Sequence, residues 1–270
     1  MNPIALKQEV KNYWNQAACG TEFIQLTKFS KEYFEAIEAF RYKIEPDIFS
    51  FAQFTRYHGK KVLEVGVGAG TDFLQWIRAG AITYGIDLTE EAIAHAQHRL
   101  MLYNLAAQDV RIGDAESIPY ENNQFDLVYS WGVIHHSPNT FQALKELIRV
   151  TKPGGTIKIM IYNRNSLFAF YQYLNHALFK GKPFRSFKKV LYHYQESLGT
   201  QAFTIKEAKN LLSKCPVTIK QLSAPVTKHD LLYYKSPLVR AIAYALACIC
   251  GWNTSGWFMM IELEKTNSHP

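Results

Sequence analysis

The sequence predicts an α/β protein built on a doubly wound, mostly parallel sheet, and three observations carry that prediction. Val62, Leu63 and Val65 make a continuously apolar run, the pattern of a strand covered on both faces, and the run breaks into Gly66, Gly68 and Gly70 before a helical pattern opens. About 20 residues on, a second strand ends in an acid, Asp87. A third ends in another, Asp114. Open sheets of this kind bind ligands at the carboxyl ends of their strands, where both acids fall.

The glycine spacing narrows the ligand. Glycines take positive φ and let a ligand approach the backbone closely, so residues 61–71 read as a nucleotide-binding turn. A dinucleotide turn reads G-x-G-x-x-G; counted from Gly66 and Gly68 its third place is Thr71, and the extra glycine is Gly70 instead. That argues against a nicotinamide dinucleotide. Asp87 is placed to accept hydrogen bonds from ribose hydroxyls.

The first 60 residues read as helical, with Tyr13, Trp14, Cys19 and Gly20 near a break. Residues 71–79 form a helix with Phe73, Leu74 and Ile77 inward and Gly80 stopping it, and its start points unpaired N–H groups at the ligand. Residues 83–88 are the second strand. Thr89 caps a helix over 90–103, with Glu90 and Glu91 in the first turn and Ala92, Ile93, Ala96 and Leu100 inward. His95 and His98 fall on its flank, without a third partner for a metal.

Residues 110–115 and 125–130 are the third and fourth strands, and Trp131 to Ser137 follow at the sheet's carboxyl edge. A helix over 139–150 is closed by Lys152, Pro153, Gly154 and Gly155. Residues 156–162 are the fifth strand, with Arg164 just past its end on the acceptor side by topology. Thr204 and Glu207 form a capping box, residues 217–222 the sixth strand, 238–250 an apolar helix and 257–263 the seventh strand.

Composition is that of a soluble globular protein, 48% hydrophobic and 20% charged. Cys19, Cys215, Cys248 and Cys250 have no zinc spacing and are expected to be buried thiols. The opening MNPIALKQEVKNYW has no apolar core of signal-peptide length, which predicts a cytoplasmic protein. Residues 241–261 run 21 residues without a charge. Their middle, Gly251 to Gly256, has turn composition, so a helix, a turn and a strand explain them better than a membrane span.

Four stretches in order, VLEVGVGAG, YGIDL, GDAESIPYENNQFDLVYSWGVIHH and RVTKPGG, resemble the successive motifs of class I S-adenosylmethionine-dependent methyltransferases, particularly the small-molecule branch that includes ubiquinone and menaquinone biosynthesis enzymes. The resemblance covers roughly residues 60–163. It implies a Rossmann-like seven-stranded sheet with an antiparallel last strand, S-adenosylmethionine as methyl donor, S-adenosylhomocysteine as second product and no required metal. It divides the chain into an N-terminal helical lid (1–59), the S-adenosylmethionine-binding core (60–163), an inserted helical substrate cap (164–203) and the remainder of the sheet with a C-terminal helix (204–270).

By the same resemblance Glu64 organises the methionyl end, Asp114 and the N–H of Ala115 meet the adenine, and Leu88, Ser130 and Trp131 belong to the cofactor site. Tyr13 and Trp14 either lid that site or staple the first helix to the body. His135 and His136 lie where the transferable methyl should arrive. An imidazole can accept a proton near neutrality, so either is a candidate base, His135 before His136, with helix-start packing or substrate contact as the alternative.

The formal charge is +7, and the 49 residues between Glu146 and Glu196 hold nine Lys or Arg, ten Phe or Tyr and no acid. Three readings stay open for this stretch, much of which is the cap expected over 166–197. It is a helical cap with a solvated cationic face, or it draws in a phosphate- or carboxylate-bearing or lipid-linked acceptor at a membrane surface, or it binds RNA, the least favoured. A small organic acceptor is the partner expected, nucleic acid is not, and neither the acceptor nor the oligomeric state is legible. A nicotinamide oxidoreductase and a non-catalytic binding protein of the same fold are the rival classes.

Overall fold

The computed structural model describes residues 2–233 and 235–266. Its centre is a seven-stranded sheet of order β3-β2-β1-β4-β5-β7-β6, with β1 Lys61–Val65, β2 Ile82–Asp87, β3 Asp109–Ile112, β4 Phe125–Trp131, β5 Thr151–Tyr162, β6 Val217–Ser223 and β7 Phe258–Lys265. The strands from β3 to β5 are parallel, and β7 runs antiparallel between β5 and β6. The order reverses between β1 and β4, the switch point where such sheets leave a crevice.

Alternation along the central strands sorts their side chains onto two faces. Leu63, Val65, Ile157, Ile159, Met259 and Ile261 pack against helices α6 (Thr140–Val150) and α9 (Ile205–Leu212). Val62, Leu127, Tyr129, Met160 and Phe258 pack the other way, onto α3 (Asp47–Ala52) and Trp76 of α4 (Thr71–Arg78). Each fully buried aliphatic side chain contributes about 1.5–3 kcal/mol. Helix α5 (Glu90–Leu102) covers α4 and β3 with Ile93, Ala96 and Leu100. Asn2 caps α1 (Pro3–Gln16), which lies across α5 through Lys11 to Glu90 at 2.6 Å. Helix α2 (Lys31–Ile44) follows. Past β5 come α7 (Leu167–His176), α8 (Phe187–Tyr194) and, before β7, α10 (Pro237–Cys250).

Several expectations need correction. Proline does not close α6: Thr151 is already extended, and Pro153 with Gly154 (φ 73°) arches inside β5, where the pairing jumps from Phe125–Thr151 to Leu127–Thr156. The third strand ends at Ile112, and Asp114 sits in a turn bridged to Ser117. His95, on the flank where it was placed, is fully buried with its Nε2 2.9 Å from Tyr33 Oη, because α2 covers that flank. His98 stacks on Phe29 at 4.0 Å. Cys19, Cys248 and Cys250 are exposed and Cys215 half-exposed. Arg164 turns from the acceptor side to pair with Glu207 at 2.6 Å. Among the described residues no helix is long and apolar enough to cross a membrane.

Candidate active site

The three glycines of the turn all have positive φ, and each answers a different neighbour. At Gly66 (φ +86°) a Cβ would stand 2.1 Å from Val133 Cγ2, so the turn packs against the loop after β4. At Gly70 (φ +73°) it would meet the Ala96 backbone at 3.1 Å, so this glycine seats α5 on α4. At Gly68 (φ +51°) it would meet only Cys19 Cβ, at 3.9 Å. Gly68 lines a cavity of about 190 Å³, where a bare backbone admits a ligand.

Asp87 fastens this turn. Oδ2 accepts from Gly68 N–H at 3.0 Å, and Oδ1 accepts from Thr89 N–H at 3.0 Å and Thr89 Oγ1 at 2.9 Å. Burial raises its pKa, and these donors offset part of the rise. The carboxylate lines the cavity with lone pairs to spare. Leu88, Asp114 and Ala115 line the same wall. Asp114 accepts from Glu116 N–H at 2.8 Å and pairs with Lys7 of α1 at 2.6 Å.

Buried charge lies beneath. Asp72, in the first turn of α4, accepts from Arg41 Nη2 at 2.8 Å and from the hydroxyls of Tyr42 and Tyr129, both at 3.1 Å. Arg41 also pairs with Glu45 at 3.1 Å. Burial works against its charge, but Asp72 and Glu45 outweigh it and hold the guanidinium well above its ordinary pKa. Glu64 takes a hydrogen bond from Trp76 Nε1 at 2.9 Å, and burial, then Asp72, pushes its pKa well above the carboxylate range. Arg41, Glu45, Glu64 and Asp72 all reach the cavity.

The opposite wall is drawn from distant parts of the chain. Trp131, His136, Tyr162 and Glu196 line it, with Trp14 edge-on to His136 at 5.4 Å. His136 Nδ1 lies 2.9 Å from Ser197 Oγ and 3.0 Å from Thr200 Oγ1. Its buried Nε2 makes no hydrogen bond, with Glu196 Oε2 3.2 Å away. Tyr162 Oη donates to Glu196, 2.9 Å from each oxygen. Glu196 has φ 53°, a left-handed conformation that costs a non-glycine residue on the order of 1 kcal/mol or more and that clusters at functional sites.

Trp14, Glu64, Gly66, Gly68, Asp87, Leu88, Asp114, Ala115, Trp131 and His136 thus meet at one cavity. Four other candidates stand off it. Tyr13 is exposed and leans edge-on against Trp14 at 4.9 Å. Gly70 is occupied with helix packing, and Ser130 is fully buried in β4. His135 lies behind the wall against Tyr162, ring centroids 3.9 Å apart, with neither ring nitrogen bonded. Burial, then the neighbouring His136, depresses its pKa well below that of free histidine. The two histidines pack against each other, ring centroids 4.3 Å apart, and only the second lines the cavity.

Sequence reading missed Arg41, Asp72, Tyr162 and Glu196. The only trace was that Glu196 closes the long acid-free stretch.

Comparison with known proteins bears on this geometry. Residues 63–159 match the family described as "Methyltransferase domain". The chain is 38% identical over 99 residues to a phthiotriol/phenolphthiotriol dimycocerosates methyltransferase of Mycobacterium ulcerans, covering 36% of this chain and 35% of that one. It is 31% identical over 156 residues to a demethylmenaquinone methyltransferase of Bacillus mycoides, covering 53% and 63%. The chain therefore spans less than two thirds of these curated relatives. Over nearly the whole chain, 97% of it and 98% of the other, the fold matches a Streptomyces coelicolor geranyl diphosphate C-methyltransferase solved with Mg2+, geranyl diphosphate and S-adenosyl-L-homocysteine, at TM-score 0.63 and 12% identity.

Proposed function

We propose that this chain, whose residues 63–159 belong to the class I S-adenosylmethionine-dependent methyltransferase family, methylates a small or medium organic acceptor in the cavity between Gly68 and His136. The donor fits the residues present: Gly68 leaves backbone bare where a Cβ would enter the cavity, and Asp87 keeps lone pairs toward it. When bound, S-adenosylmethionine supplies an electrophilic sulfonium methyl, and its transfer leaves S-adenosylhomocysteine. Asp87 would accept from the ribose hydroxyls, with Leu88 beside it, and Asp114 and the Ala115 N–H would meet the adenine. Arg41 and the N–H groups opening α4 would face the methionyl carboxylate, with Glu64 toward its amino group. Trp14 and α1 exclude water.

The observation that carries a chemical role for the far wall is the hydrogen-bond arrangement of His136. Thr200 Oγ1 donates to Ser197 C=O at 2.7 Å, so it meets His136 Nδ1 as an acceptor, an arrangement that suits the tautomer with the proton on Nδ1. In that tautomer Nε2 carries the lone pair. It would take the proton from an acceptor hydroxyl as that oxygen attacks the methyl, and Glu196, held by Tyr162, would stabilise the resulting imidazolium. We take residues 164–203, which supply Glu196, Ser197 and Thr200, as the acceptor cap.

Incubating the protein with methyl-deuterated S-adenosylmethionine and fractionated metabolite extract tests this reading. Mass spectrometry should show a labelled product and stoichiometric S-adenosylhomocysteine. Donor binding without S-adenosylhomocysteine from any fraction would contradict it.

A further inference from the structure

The acid-free stretch splits in two. Arg149, Lys152, Lys158 and Arg164 pair with Glu146, Asp126, Glu262 and Glu207, at 2.7, 2.6, 3.3 and 2.6 Å. The other five, Lys180, Lys182, Arg185, Lys188 and Lys189, lie on the short turn and loop joining α7 to α8 and on the first residues of α8. None of the five has a carboxylate partner among the described residues, and the four lysines are exposed. Between them stand Phe179, 71% exposed, and Phe184, fully exposed. Water is a poor environment for two bare phenyl rings, and neither has a ring partner among the described residues.

Helix α10 repeats the anomaly. It buries only Ala243 and Ala247, while Leu238, Ile242, Tyr244 and Ile249 are exposed and Arg240 is its only charged residue. An all-round apolar helix is normally covered. Its start leans on α7, where Lys235 lies over the Tyr171 ring at 5.5 Å, so both apolar features share one supporting helix.

We infer that residues 178–189 seat the protein on anionic lipid bilayers, Phe179 and Phe184 entering the acyl boundary and the five cations meeting the headgroups, with the bare face of α10 as a second contact. Charge complementarity favours an anionic surface. Exposed phenylalanines, together with exposed aliphatic residues on α10, favour lipid over RNA, which would be met by stacking aromatics in a groove. Two weak signals of this kind suffice for reversible attachment. The inference does not depend on the methyl-transfer reading.

Flotation of the full chain with vesicles tests it. The protein should float with vesicles of equal parts phosphatidylglycerol and phosphatidylcholine and stay behind with phosphatidylcholine alone. Neutralising Lys182→Gln or Lys188→Gln should each weaken partitioning about fivefold, and Phe184→Ser about tenfold, with circular dichroism and S-adenosylhomocysteine binding unchanged. Ile249→Ser should weaken it less. Equal binding to neutral vesicles, no binding at all, or displacement from the lipid by RNA would overturn the inference. A stable dimer through α10, lost in Ile249→Ser while flotation persists, would remove that helix from it.

Discussion

The two walls of the cavity are built differently. On the glycine side, Gly66, Gly68, Asp87, Asp114 and Ala115 each sit within three residues of a strand's carboxyl end, so β1, β2 and β3 place them merely by ending. On the far side, proposed to meet the acceptor, His136 contacts Ser197, Thr200 and Glu196, some 60 residues away in the segment that follows β5. One wall is a property of the sheet, whereas the other is a tertiary assembly. The first should tolerate almost no backbone change, and the second should fail in rate before it fails in binding.

Four experiments press on that contrast. His136→Ala removes the free nitrogen from the acceptor wall and should slow single turnover about 10²–10⁴-fold while donor affinity holds; near-normal rates would leave alignment as the whole mechanism. Gly66→Ala drives a Cβ to 2.1 Å from Val133 Cγ2 at a positive φ. It should cost on the order of 3 kcal/mol in urea denaturation and weaken donor binding, and full stability would show that the turn is not backbone-limited. Asp87→Ala should weaken S-adenosylmethionine binding by about 1.5–3 kcal/mol, as for a hydrogen bond to a charged group, and unchanged calorimetric affinity would break its assignment.

The smallest effect is the pH dependence of stability, where burial depresses both His135 behind the wall and His229, packed on Phe168 with ring centroids 4.2 Å apart, the latter to about 4. Both bind a proton more readily unfolded. Their contribution is therefore complete above about pH 6.5 and is lost as pH falls, by roughly 1.4 kcal/mol per pH unit for each group until its folded pKa is reached. His229→Gln should flatten the slope of unfolding free energy between about pH 6 and pH 5. An unchanged slope would mean that His229 is not kept neutral by the fold.

The same contrast explains what the sequence could say. Strand ends, caps and glycine turns are local, so Thr89, the Thr204 and Glu207 capping box and the glycine turn were all legible, as was the sheet. Errors came where distant chain intervened. The arch at Pro153 and Gly154, taken for the end of α6, exists because β4 accepts a bulge. Exposed Cys248 and Cys250 follow from α10 having little to pack on. Of the two histidines, both buried, only the second lines the cavity, and no pattern in the sequence encodes which.

Titration calorimetry with S-adenosylhomocysteine and, separately, reduced nicotinamide dinucleotide tests the central claim most directly. The glycine turn and Asp87 should give one saturable site for S-adenosylhomocysteine and no heat with the dinucleotide. Silence with the first ligand, or saturation by the second, would contradict the account.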